Sequence, residues 1–130
     1  MTDDDLKGIP TFPILRGESV GEDGEFSGKV VIVSSVEDLK REWKSDEIAV
    51  LHHELESHLQ ENPGLIDSLF KQVSAVLSEF GEAFGEFSSL AHEREAIAIV
   101  KVEDACYVLE NGMFISMYAH ERVGDIFFIE

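Results

Sequence analysis

GEAFGEFSSLAHEREAIAIV, residues 81–100, is the stretch whose reading decides the fold. Gly81 and Gly85 mark a loop. Phe87, Leu90 and Ala91 then recur at helical spacing, which predicts a helix over residues 86–94. Glu86 stands at the start of that helix, where a carboxylate meets free amide groups and the positive end of the helix dipole. Ala96 to Val100 is unbroken in its apolar character and predicts a strand buried on both faces.

The same alternation continues on either side. Residues 1–12 are polar and, with Pro10 and Pro13 beside them, read as an arm. Residues 17–28, rich in Gly and Glu, read as a loop. KVVIVS (29–34), EIAVL (47–51) and residues 73–78 are the earlier strands. Ser35 caps a helix running to Lys44, with Val36, Leu39 and Trp43 on one face. A second helical region lies within residues 54–72, and Asn62-Pro63-Gly64 divides it in two. A short helix over 103–109, a turn at Asn111-Gly112 and strands over 113–118 and 125–129 complete the chain. Strands alternating with helices predict an α/β domain, its sheet mixed but mostly parallel, with crossover helices and a C-terminal antiparallel addition.

With 130 residues, 44% of them hydrophobic and 28% charged, the chain has the composition of one soluble globular domain. The formal charge of −17 repels phosphate backbones and argues against nucleic-acid partners. No apolar run has the length of a membrane span, so no membrane partner is expected. The acidic start MTDDDLKG has no signal-peptide character. The lone Cys106 forms no internal disulfide, which fits the cytoplasm. It reads as a core residue beside Val102 and Leu109.

Residues 81–100 resemble the loop, helix and strand that carry the phosphohistidine in the swivelling (mobile) domain of phosphoenolpyruvate-utilising enzymes, such as pyruvate phosphate dikinase, phosphoenolpyruvate synthase and enzyme I of the phosphotransferase system. Without gaps, Gly81 matches the first glycine of that pattern, Ala91 and Glu93 the helix, and Ala98 and Val100 the strand. Gly24 and Gly28 before KVVIV, the Asn111-Gly112 turn and the closing strand from Gly124 look similar to further parts of the family. The resemblance spans about residues 17–130 as a single swivelling β/β/α domain, with residues 1–16 as an N-terminal arm. The family's histidine, however, is replaced by Glu86, and its neighbours by Glu82, Phe84 and Gly85. A carboxylate cannot become a phosphohistidine.

The resemblance therefore implies a stand-alone domain with no catalytic residue and no cofactor, acting in binding or regulation. The implied binding loop is Gly81, Glu82, Phe84, Gly85, Glu86, Phe87 and Ser88. The implied partner is another protein, a phosphotransfer enzyme among the candidates. One alternative is a subunit of a split phosphotransferase that moves phosphoryl groups from phosphoenolpyruvate or ATP. His92 sits too far round the helix from Glu86 to replace the missing nucleophile.

A second alternative is metal binding by the segment His52 to His58. Glu54 and His58 share i, i+4 spacing, as do His52 and Glu56, so His53, Glu54 and His58 are the candidate ligands. The spacing is not that of the zincin motif. Glu22, Asp23 and Glu25 form an acidic loop that reads as solvated surface.

Overall fold

The computed structural model describes residues 12–62, 64–81 and 86–129. Among the described residues, seven strands form one closed barrel. They are β1 (Leu15–Ser19), β2 (Gly24–Val33), β3 (Glu47–Leu51), β4 (Ala75–Ser78), β5 (Ile97–Val100), β6 (Phe114–His120) and β7 (Val123–Ile129). The helices are short: α1 (Val36–Leu39), α2 (Glu56–Glu61), α3 (Gly64–Phe70), α4 (Glu86–Glu93) and α5 (Ala105–Val108), with a 3₁₀ turn at His53–Leu55 before α2.

Around the barrel the order is β1-β5-β4-β3-β2-β6-β7, and β7 pairs back onto β1. Three pairings are parallel, β2–β3, β3–β4 and β4–β5. Four are antiparallel: β1–β5, β1–β7, β2–β6 and β6–β7. This corrects the fold expected from the sequence. The sheet closes on itself and antiparallel pairings are in the majority, so the chain is a mixed β-barrel with few helices. It is not the mostly parallel swivelling domain with crossover helices that the resemblance implied.

The difference traces to β1 and to the first half of β2, both inside stretches read as arm and loop. In β1, inward positions alternate with the polar Arg16 and Glu18, yet two of the three inward residues are Gly17 and Ser19. Gly17 is required by space, because a Cβ there would lie 2.5 Å from the Val100 carbonyl and 2.6 Å from a Val102 methyl. Its partner in register is another glycine, Gly124 of β7. Two facing glycines leave room for the bulk of Ile99, but they remove the apolar alternation by which a strand is recognised.

Strands β3, β4 and β5 are buried throughout, and each feeds two separate cores. Ile48, Val50, Ala75, Leu77, Ile97 and Ile99 point into the barrel with Ile115, Met117 and Ile126. Ala49, Leu51, Val76, Ala98 and Val100 point outward, against Leu55, Leu59, Ile66, Leu69 and Phe70. The helices thus cover the parallel side of the barrel, as continuous apolar runs require. β6 buries mainly one face and leaves Phe114 and Tyr118 exposed.

Candidate functional site

The carboxyl ends of parallel strands are where α/β proteins gather their ligand-binding loops. Here the loops after β3, β4 and β5 surround a cleft of about 610 Å³, lined by His52, His53, Glu79, Glu103, Asp104 and Tyr107 among others. His52 follows the last residue of β3, and Glu79 follows the last residue of β4.

Glu79 joins all three loops. Its Oε1 accepts the His53 amide at 2.9 Å and the His53 ring Nδ1 lies 2.8 Å away, while its Oε2 accepts the Cys106 amide at 2.7 Å. Both amides are first-turn donors that a helix cannot satisfy internally. The need for outside help has a local cause. Asp104, the N-cap of α5, has φ 64 and makes no side-chain capping bond, so Glu79 takes the free amide instead. The Glu79 side chain is only 6% exposed. Burial raises its pKa, but the Cys106 amide, the His53 ring and amide, and the nearby His52 outweigh that, so the carboxyl is held below its ordinary value.

An ionised carboxylate only accepts, so the His53 Nδ1 must carry the proton. In the neutral ring, Nε2 is then left with its lone pair. His52 is set the other way, because its Nδ1 accepts the Glu54 amide at 3.1 Å. The two rings stack with centroids 4.2 Å apart. Cys106, half-buried in the same cleft, is poorly set up as a nucleophile: burial, aided by the Glu79 carboxylate, pushes its thiol up to about 12.

The structure regroups the residues singled out in the sequence. Of His53, Glu54 and His58, the first two come together with His52, and one donor atom from each of the three lies within 4.8 Å of the others. His58 sits exposed on α2, outside that group. In the loop 81–88, residues 82–85 and the side chains of Glu86 and Phe87 lie outside the described residues. Gly81 has φ 108, a backbone that suits glycine. The Ser88 hydroxyl donates to the Val20 carbonyl at 3.0 Å. Ser88 lines a different cavity, of about 620 Å³, near the amino end of β5 with Ser19, His92 and Arg122. His92 pairs there with Glu22, so the acidic loop has a side-chain partner across the fold and is not only solvated. Glu79 is the residue that sequence reasoning missed. Its signal was faint: a lone acid directly after a buried strand.

No sequence family matches the chain, and no curated protein is similar to it in sequence. Solved structures with a similar fold do exist. Aconitase X of Thermococcus kodakaraensis in its holo-form superposes with a TM-score of 0.55 at 18% identity, covering 89% of this chain and 98% of that one. A UPF0107 protein solved by solution NMR gives 0.58 at 12% identity, with 88% and 97% covered. The RNA-processing inhibitor RraA from Thermus thermophilis gives 0.59 at 10% identity, with 98% and 92% covered. At such identities the likeness shows the fold alone.

None of these three is a phosphoenolpyruvate-utilising swivelling domain. They overturn the resemblance, and with it both functional readings built on it, the degenerate phosphohistidine domain and the split phosphotransferase. The physical reason is that the matching glycines serve a barrel: Gly24, at φ 145, opens β2, and Gly124 packs on Ile99. Among the described residues, no helix is long and apolar enough to cross a membrane.

Proposed function

We propose that this chain is a small-molecule-binding domain whose ligand enters the cleft at the carboxyl ends of β3, β4 and β5. The observation that supports this reading is the clamping of His53 by Glu79. The clamp selects one tautomer and leaves Nε2 as a fixed electron-pair donor beside a cavity, the arrangement that a base or a coordinating group needs.

The lining limits the ligand. Glu79, Glu103 and Asp104 line the cleft with the histidines, so it favours proton-donating or cationic groups and disfavours phosphates. The structural neighbours carry names as different as an aconitase and an RNA-processing inhibitor. The fold therefore does not choose a chemistry, and the reading rests on the site.

Amide-detected NMR with a panel of small amines, polyols and N–H heterocycles tests the proposal. Binding fragments should move the signals of His53, Glu79 and Cys106 together, and His53→Ala should remove the response. A panel that perturbs only other parts of the barrel, or nothing at all, overturns it.

A further inference from the structure

We infer that a divalent transition-metal ion binds at the mouth of this cleft, held by His52, His53 and Glu54. The inference rests on the cleft being a binding site and names the class of ligand. The three residues are consecutive, and His52 caps the 3₁₀ turn in which the other two stand. One donor atom from each already lies within 4.8 Å of the others. Around a tetrahedral ion with bonds of about 2.0–2.2 Å, ligand atoms stand roughly 3.3–3.6 Å apart. Closing from the first figure to the second falls to the exposed Glu54 side chain and the His52 ring, while His53 stays on Glu79.

The outer contacts fit as well. Metal-bound histidines commonly donate their second ring N–H to a carboxylate, which fixes the tautomer and strengthens the donor. His53 already makes that bond to Glu79 at 2.8 Å. His52 accepts the Glu54 amide on Nδ1, so ligation through Nε2 keeps that capping bond and ligation through Nδ1 gives it up. Three protein ligands leave a fourth position open to water or to a small ligand in the cleft. Two imidazoles and one carboxylate suit zinc, cobalt or nickel rather than magnesium or calcium, which take oxygen ligands.

The test uses the tag-free, metal-stripped full chain, titrated with Co²⁺ and followed by visible absorption, with Zn²⁺ as competitor. One equivalent should bind with ligand-field bands of a low-symmetry site, and Zn²⁺ should bleach them. His52→Ala and His53→Ala should each weaken binding at least ~10-fold, and Glu79→Gln by ~10–100-fold, the range for outer-shell partners. His58→Ala should bind like the parent. Melting curves without metal establish that each variant is folded. Absence of one-to-one binding by the parent, or binding that survives in folded His52→Ala and His53→Ala, overturns the inference. If the NMR fragments still bind at His53 while Co²⁺ does not, the metal falls and the cleft remains.

Discussion

Gly124 of β7 lies against Ile99 of β5 so closely that a Cβ at position 124 would stand 2.6 Å from three carbons of the isoleucine side chain. Ile99 is fully buried and has no space to retreat into. Gly124→Ala should therefore destabilise the barrel by about 1–3 kcal/mol, the usual range for overpacking. Urea titration measures it. Adding Ile99→Val should recover part of the loss. A neutral Gly124→Ala would show that the barrel interior is looser than this contact implies.

Glu79→Ala should also cost about 1–3 kcal/mol, because the amides of His53 and Cys106 lose their acceptor. Glu79→Gln keeps one carbonyl oxygen and should lose less. Hydrogen exchange separates the two: the Cys106 amide should exchange much faster in the alanine variant. Unchanged exchange there would mean that the carboxylate does not hold the three loops together.

Acid stability should depend on Glu47. Its side chain is 6% exposed and is met by the Arg41 guanidinium at 3.0 Å and the Lys44 amide at 2.9 Å. Burial raises its pKa, but the Lys44 amide and Arg41 prevail and hold it below 4.5. A depressed carboxyl contributes its full stability above the unfolded-state value and loses it as pH falls through the folded-state value. At pH 7 Glu47→Gln should be less stable than the parent, and the gap should narrow below pH ~4.5. Denaturant melts at several pH values check this, and a gap that widens in acid contradicts it.

Cys106 should resist alkylation. A thiol raised to about 12 holds roughly a thousandth of the thiolate of an ordinary cysteine at pH 8. Iodoacetamide should react ~10–100-fold more slowly than with a free cysteine, since the greater nucleophilicity of a less acidic thiolate offsets part of that loss. Glu79→Gln should speed the reaction by removing the neighbouring charge. Rapid labelling of the folded parent would place the thiol in a different environment.

The sequence displays some of these features plainly and hides others for physical reasons. β3, β4 and β5 are visible because they are buried on both faces, so EIAVL, AVLS and IAIV are unbroken apolar runs. β1 is invisible because its inward positions must be small: Gly17 and Ser19 carry no hydrophobic signal, while the outward Arg16 and Glu18 look like loop. Without β1 there is no reason to close the sheet, and an open, mostly parallel arrangement follows. The site was half legible. His53 and Glu54 stand out as a local cluster, but helical spacing suggested His58 as the third member, whereas the chain enters a 3₁₀ turn there and brings in His52. Glu79, 26 residues from His53, has no local pattern at all.

The ladder between β1 and β7 also bears on how the chain assembles. Its register sets Leu15 beside Ile126, so the barrel cannot close until residues from opposite ends of the sequence meet. The pairings from β2 to β5 join strands that follow one another along the chain, and they can form without either end. The closing ladder carries the largest loop entropy and the greatest sequence separation, which are the properties that slow folding. On a ribosome, β1 has a first partner once β5 is made, and its other edge stays bare until β7 follows.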